Sequence, residues 1–156
     1  MLSRYPIDKV MHFSLKNTSK TASVNTMTIN NEEIAIAAIH LKAGAQDLYG
    51  FVRRRQINEI VATMTYLNCP TSILAGDFNL RMGEVIEDHV KYNDVWSTVH
   101  PDNPDEPTYN VHTNDLAMQI STRIRAHRQD GSKPIADRFD RVMLNFRSHW
   151  RPQSIE

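Results

Sequence analysis

The chain has little cysteine, no long apolar run and no excess of charge, and each lack excludes a class of protein. Its single cysteine, Cys69, excludes an intramolecular disulfide and is typical of a protein from a reducing compartment. No apolar run approaches membrane-spanning length, and residues 1–7 lack the long apolar region of a signal peptide. We therefore expect a soluble, intracellular protein without a membrane partner. Cys69 is expected to be a small filler residue between a helix and a strand.

Charge and length set further bounds. The 18 basic and 18 acidic residues give a formal net charge of zero, so no overall field attracts nucleic acid. Any polyanion must bind to a local basic patch. A chain of 156 residues, 40% of them hydrophobic, is long enough for one domain with a core and too short for two. Since no repeat or linker divides it, we predict a single domain over residues 1–156.

The hydrophobic pattern predicts strands on either side of a long helix. Two alternating runs, residues 24–29 and 34–41, flank an Asn-Asn pair and predict a β-hairpin. The second run is apolar on both faces, which predicts a central strand covered on both sides. Residues 46–67 predict a helix, and residues 71–76 a further strand. The helix pattern comprises Leu48, Phe51, Val52, Ile57, Ile60, Val61, Met64 and Leu67.

Other segments carry weaker signals. Residues 84–90 are expected to form a short helix, residues 100–107 a loop, and residues 138–144 a strand. A polar excursion is predicted to be helical around residues 116–124. Arginines occur in two groups, and for both we favour a solvated surface over a binding patch. The first group is Arg53, Arg54 and Arg55 on the long helix, and the second is Arg123, Arg125 and Arg128.

The run ILAGDFNLR at residues 73–81 carries the strongest chemical signal. A short apolar run delivers Asp77, Asn79 and Arg81 to the end of a strand, where open α/β folds bind ligands. Asp can hold a hard cation or accept a proton, Asn can hydrogen-bond an anionic oxygen, and Arg can clamp a phosphate. These three roles together indicate metal-assisted phosphate chemistry. The plainer alternative is a turn capped by Asp and Asn side chains.

Two further strand ends carry polar residues, His40 and Asp140. If these strands are neighbours, both residues converge with Asp77 and Asn79 at one edge of the sheet. In phosphodiester hydrolysis, Asp77 would orient or deprotonate water, while Asn79 and His40 donate hydrogen bonds to phosphoryl oxygens. Asp140 is expected to orient an imidazole. The remaining histidines show no metal-ligand spacing and are interpreted as surface or structural residues.

Three short motifs resemble those of a known enzyme family. They are IHL at residues 39–41, LAGDFN at residues 74–79 and RFD at residues 138–140. In order and spacing they are similar to the motifs of the DNase-I-like endonuclease/exonuclease/phosphatase family, over nearly the whole chain. The resemblance implies an α+β fold, a four-layer α/β/β/α sandwich of the DNase-I-like type that is incomplete in this chain. It also implies a phosphodiesterase that uses Mg²⁺, which Mn²⁺ can replace.

Residues 76–81 (GDFNLR) and 138–142 (RFDRV) are most similar to one branch of this family. That branch hydrolyses the phosphotyrosyl bond at a DNA 5′ end during DNA repair. The resemblance implies that His40 stabilises the transition-state phosphate. Asp77 and Asn79 would handle the attacking water and the phosphate, and Asp77 would be a metal ligand. Arg81 would contact a substrate phosphate, and Asp140 would orient a partner histidine. The implied partner is DNA with a 5′ protein adduct, bound by a monomer that can act in the nucleus.

Other motifs of the family have no counterpart in the sequence. The family places an Asn and a metal-binding Glu upstream, and a Ser-Asp-His motif downstream. We therefore expect this chain to be the middle of a larger domain and to be inactive by itself. Two alternatives stay open: an enzyme of the same family acting on RNA, phosphoinositide or sphingomyelin, and a non-catalytic fragment that binds nucleic acid. Only an enzyme should depend on both magnesium and Asp77.

Overall fold

The structure, a computed structural model, describes residues 3–16, 18–44, 47–81, 84, 90–128 and 136–154. For residue 47 and residues 123–128 it describes the backbone. The described strands are β1 (Lys9–Ser14), β2 (Thr21–Ile29), β3 (Glu32–His40), β4 (Thr71–Asp77), β5 (Tyr92–Asp94), β6 (Tyr109–Asn110), β7 (Ala136–Asp137) and β8 (Asp140–Asn145). The described helices are α1 (Asp47–Leu67), α2 (Val95–Val99) and α3 (Asp115–Arg128). No helix in the described ranges is long and apolar enough to cross a bilayer.

Six strands form one mixed sheet in the order β1-β2-β3-β4-β8-β5. Only the β3–β4 pair is parallel among these strands, because α1 carries the chain back across the sheet between them. Strands β6 and β7 form a separate two-stranded ribbon. Sheet and helix together give the α+β architecture that the sequence predicts.

The predicted hairpin is confirmed in both strands and turn. Strands β2 and β3 pair antiparallel from Ser23 opposite Ala38 to Ile29 opposite Glu32. Asn30 and Asn31 close the turn with φ of 51° and 62°. Two consecutive left-handed residues are the signature of a type I′ turn, and Asn tolerates that conformation better than most residues.

Strand β3 is central, but the prediction that both its faces are covered is only half right. Ala35, Ala37 and Ile39 are buried on one face, in a core that includes Ile57 and Ile60 of α1. On the other face burial decreases along the strand. Ile34 is buried, Ile36 is half-buried, and Ala38 is exposed. We call this second side of the sheet the open face.

Helix α1 confirms the predicted helix and corrects two details of its faces. Leu48 and Phe51 match the apolar period, yet they are 74% and 64% exposed. Arg53 was assigned to the solvated face with its two neighbours, but it is buried, whereas Arg54 and Arg55 are exposed as predicted. Periodicity fails here because the buried apolar residues of α1 begin only at Ile57. Arg53 is instead enclosed by carbonyls of the loop over residues 41–44 and by Glu84.

Several smaller predictions can also be compared with the structure. Strand β1 has no counterpart among the predicted strands. Half-buried Cys69 lies between α1 and β4, as predicted. Helix α3 includes residues 116–124, in agreement with the prediction. The second arginine group lies on its last turns, and those side chains are outside the described part. The helix expected over residues 84–90 falls almost wholly outside the described residues.

Candidate active site at the strand ends

The structure brings three polar strand-end residues into one row across neighbouring strands. The sheet register sets His40 of β3 beside Asp77 of β4, and Asp77 beside Asp140 of β8. His40 Nε2 lies 3.4 Å from Asp77 Oδ2, and the two side chains are 59% and 34% exposed. We call these three residues the strand-end row. Since they share one face of the sheet, all three side chains project from the end of the open face.

A tight turn after β4 fixes Asp77 and Asn79. Asp77 Oδ1 accepts the backbone N–H of Asn79 at 2.8 Å, and Asn79 has a φ of 50°. The buried Asn79 side chain also donates from Nδ2 to the Leu41 carbonyl at 3.2 Å. One of its two amide hydrogens is thereby used. Among the described residues the other has no acceptor, so it can donate to a phosphoryl oxygen. The turn that sequence reasoning offered as the plainer alternative therefore exists, and it is the device that positions the acid and the amide.

Gly76 allows β4 to end in this way. Its φ is 137°, a conformation that side chains rarely adopt, and a Cβ at this position would lie 2.1 Å from the Ile39 carbonyl oxygen. The backbones of β3 and β4 can approach this closely only because position 76 has no side chain. The close approach delivers His40 and Asp77 side by side.

Arg81 lies near the strand-end row but is already engaged. Its Nη1 donates to Asp137 Oδ2 at 2.9 Å, and its guanidinium lies 5.0 Å from the centre of the Phe139 ring. A substrate phosphate at Arg81 would have to compete with Asp137. The contacts therefore favour a role for Arg81 in fixing residues 137–139 beside the site.

Asp140 is exposed, and its backbone is anchored. Thr108 Oγ1 accepts the backbone N–H groups of Phe139 and Asp140, at 3.1 and 3.0 Å. Within the described residues no imidazole is hydrogen-bonded to the Asp140 carboxylate, so the histidine it was predicted to orient is not among them. Asp140 borders a cleft of about 430 Å³ whose walls include Trp96, Pro107 and Val142.

A buried ion network behind the row was not anticipated from the sequence. Asp94, at the end of β5, accepts hydrogen bonds from Arg138 in a bidentate arrangement and from Arg141 at 3.2 Å. It also caps α2 by accepting the backbone N–H of Trp96 at 2.9 Å. Arg138 was visible only as the first letter of the RFD motif. Arg138 begins a predicted strand, and an arginine that is buried there needs an anion beside it. That need was the available signal for a buried acidic partner.

A second network holds the loop that follows His40. Buried Arg53 donates to the carbonyls of Lys42 and Gly44, both at 3.0 Å, and its guanidinium pairs with Glu84. Gln56 Oε1 accepts the Lys42 backbone N–H at 3.0 Å. The loop over residues 41–44 is therefore tied to α1 through both backbone donors and acceptors.

We expect Glu84→Ala to lower the free energy of unfolding by about 2 kcal/mol, because it removes the anion from a buried guanidinium that keeps its carbonyl acceptors. Urea unfolding measures the change. Glu33→Ala, at an exposed position on β3, is the control and should change stability by less than about 0.5 kcal/mol. Equal effects of the two substitutions would contradict the structural importance of the Arg53–Glu84 pair.

The described residues do not by themselves form a magnesium site. Mg²⁺ prefers several oxygen ligands in octahedral geometry. Within the described part of the chain, no group of three His, Cys, Asp or Glu side chains could hold a metal ion. One oxygen of Asp77 accepts the Asn79 N–H, and the other faces His40. A magnesium ion at this edge of the sheet would therefore need ligands beyond these residues.

Solved structures with a similar fold include TDP2 from two organisms and a bacterial beta toxin. Truncated TDP2 from Caenorhabditis elegans superposes with a TM-score of 0.67 at 18% identity, over 90% of this chain and 53% of that one. TDP2 from D. rerio, complexed with a single-strand DNA product, gives 0.65 at 18% identity, over 91% and 54%. A double mutant of Staphylococcus aureus beta toxin with bound magnesium ions gives 0.69 at 18% identity, over 97% and 53%.

The chain spans about half the length of these structures. No protein-family sequence profile matches it, and no curated protein matches it by sequence. The likeness therefore concerns the fold, which places the polar strand ends of β3, β4 and β8 at one edge of the sheet. The chain has the DNase-I-like fold that its motifs predict, in the α+β class and in a form that covers only part of its neighbours.

Proposed function

We propose that this chain carries part of the active site of a phosphodiesterase, and that the substrate is a phosphodiester in DNA. The observation that carries the proposal is the strand-end row, in which His40 and Asp77 lie within 3.4 Å of one another on a solvent-open edge. Supporting it, neighbours of the same fold were solved with a DNA product and with magnesium ions.

The chemistry follows from the groups in the row and the adjacent amide. The Asp77 carboxylate is placed to orient a water and to accept its proton as that water attacks phosphorus. His40 and the free amide hydrogen of Asn79 are donors for the phosphoryl oxygens, where negative charge grows in the transition state. Asp140, at the far end of the row, would hold a histidine that the described residues do not include.

For the substrate, we propose the phosphotyrosyl bond at a DNA 5′ end. The similarity of residues 76–81 and 138–142 to the branch with that activity supports this choice. A similar fold in the beta toxin keeps a different phosphodiester, such as one in sphingomyelin, as the second candidate. In either case Mg²⁺ would need ligands beyond the three residues of the row.

A cleavage assay tests the proposal. The 156-residue chain and the longest open reading frame that contains it are incubated with a 5′-phosphotyrosyl oligonucleotide, with and without Mg²⁺. We expect cleavage by the longer product only, and a loss of at least about 100-fold in the Asp77→Asn variant, because the proton acceptor is removed. Asp115→Asn, at an exposed position on α3, is the matched control.

Two outcomes would contradict the proposed catalysis, and a third would change only the proposed substrate. Cleavage that Asp77→Asn leaves unchanged would exclude the strand-end row as the catalytic centre. Binding of the oligonucleotide without cleavage by either product, indifferent to Mg²⁺ and to Asp77→Asn, would instead favour the non-catalytic alternative. Turnover of sphingomyelin but not of the oligonucleotide would keep the site and change the substrate.

A further inference from the structure

Two lysines flank the strand-end row on the side away from Asp140. Lys42 is two residues beyond His40, in the loop after β3. Lys20 directly precedes β2, and its carbonyl accepts the Leu15 N–H at 2.9 Å. Continued by two positions, the β2–β3 register sets the residue after Lys20 opposite His40. The start of β2 and the ends of β3 and β4 thus meet at one edge, and we call Lys20 and Lys42 the lysine rim.

The backbone of Lys42 is held rigidly. Its N–H is bound by Gln56 and its carbonyl by Arg53, and both of those side chains are buried. Its Nζ lies 4.5 Å from the centre of the Tyr49 ring. An ammonium over an aromatic face is attracted to the ring but gains no hydrogen-bond acceptor there. In the part of the chain that the structure describes, no acceptor is bonded to its N–H groups, so they can bind an anion.

The charged groups that act on Lys20 are Asp77 and Lys42. Burial lowers the pKa of its amine, the Asp77 carboxylate raises it, and the Lys42 ammonium lowers it further. Extended in the same way, the β2–β3 register sets Lys20 itself opposite Leu41, the residue between His40 and Lys42. Within the described residues, neither rim lysine has a carboxylate oxygen within 4.0 Å. A phosphate arriving between the two ammonium groups would relieve their mutual repulsion and replace the hydration lost by burial.

The two ends of the strand-end row differ in the charge and polarity of their surroundings. Beyond His40 lie the two cations of the rim. Beyond Asp140 lies the cleft, whose walls include Trp96, Pro107 and Glu106. The lining also includes Arg138 and Arg141, but both guanidinium groups are already hydrogen-bonded to Asp94. The apolar walls of the cleft suit an uncharged or aromatic group. A chain of phosphates should therefore run from the row toward the rim.

We propose that Lys20 and Lys42 form a second phosphate site, which binds the polynucleotide phosphate next to the one held at His40 and Asp77. The proposal takes its substrate class from the proposed function. It adds the direction in which the nucleic-acid strand runs from the reacting phosphate. The nucleic-acid strand extends over the β2–β3 side of the sheet, and the other substituent of the reacting phosphate lies toward the cleft. Single-stranded DNA is the partner favoured, since its backbone can follow a sheet edge that offers separate cationic positions.

The test is the salt dependence of DNA binding, which requires no catalysis. Dissociation constants of a fluorescent oligothymidylate are measured by anisotropy between about 50 and 200 mM salt. Each phosphate contact to single-stranded DNA contributes about 0.7 to the slope of log K against log salt. We expect Lys20→Gln and Lys42→Gln each to reduce the slope by about 0.7, and the double variant by about 1.4. Lys9→Gln and Lys91→Gln, exposed positions at the opposite ends of β1 and of the β5–β8 pair, should leave it unchanged.

Other results would overturn the proposal, change the partner, or refute only the proposed catalysis. Unchanged slopes in both rim variants would overturn it, as would the absence of measurable DNA binding by the unmodified chain. Rim-dependent binding of phosphoinositide vesicles without DNA binding would overturn the choice of partner. Reduced slopes combined with a failed cleavage assay would leave the rim in place and refute only the proposed catalysis.

Discussion

Gly76→Ala is expected to destabilise the chain by at least about 3 kcal/mol. The new Cβ would lie 2.1 Å from the Ile39 carbonyl oxygen and 3.1 Å from its carbonyl carbon, both in the backbone of the neighbouring strand. Because these are main-chain atoms within a ladder, no rotamer change relieves the clash. The φ of 137° adds strain of about 1–3 kcal/mol for any residue with a side chain. The parallel β3–β4 pair must separate to accommodate the methyl group.

Urea unfolding followed by circular dichroism measures this effect, and Gly50→Ala is the matched control. Gly50 is inside α1, where a Cβ would come 3.2 Å from Glu84 Oε1. A shift of a few tenths of an ångström by the Glu84 carboxylate, with its pairing to Arg53 kept, accommodates the methyl group. Ala is favoured over Gly inside a helix by about 1 kcal/mol, so this variant should be neutral or slightly stabilised. If both variants unfold at the same urea concentration, the close approach of β3 and β4 at position 76 is wrong.

Asp94→Ala should have the largest effect, a loss of about 3–5 kcal/mol. The Asp94 side chain is 2% exposed, and Arg138 beside it is 6% exposed. Removing the acid leaves a guanidinium without its anion in a site that excludes water, and this is much more costly than losing an exposed pair. The substitution also removes the cap of α2, which contributes about 1 kcal/mol.

Two variants separate the causes of this loss. Asp94→Asn keeps an oxygen to cap α2 while removing the charge, so it should retain most of the destabilisation. Lys16→Ala breaks the Lys16–Glu59 contact, whose lysine is 66% exposed, and should cost less than about 1 kcal/mol. A small effect of Asp94→Asn would show that capping, rather than charge, is the main contribution of Asp94.

Local patterns were sufficient for the elements but not for every side chain. The hairpin was predictable because its turn depends on two adjacent asparagines, and the long helix because its apolar period extends over many residues. Arg53 was not predictable, because its burial depends on backbone carbonyls of the loop over residues 41–44 and on Glu84, 31 residues away. The exposure of Leu48 and Phe51 likewise depends on which turns of α1 the core covers, and periodicity does not report this.

In the candidate site, too, local patterns were sufficient for some features, while contacts between distant residues could not be predicted. The convergence of His40, Asp77 and Asp140 was predicted from strand ends, since register brings neighbouring strand ends together. The engagement of Arg81 by Asp137 could not be foreseen, because it depends on a two-stranded ribbon with almost no sequence signal. Asp94 was overlooked for a similar reason. Its partners are more than forty residues away in the chain.

The tethering of the loop over residues 41–44 has a consequence for recognition. Leu41 donates its N–H to the Asp77 carbonyl at 2.9 Å, so the parallel ladder continues into the loop. With Lys42 bound at both its N–H and its carbonyl, the loop can open only when part of the sheet and α1 open with it. Its conformational entropy is lost during folding and not at the moment a ligand arrives. A substrate therefore meets a preorganised surface, and its affinity is not reduced by the cost of ordering this segment.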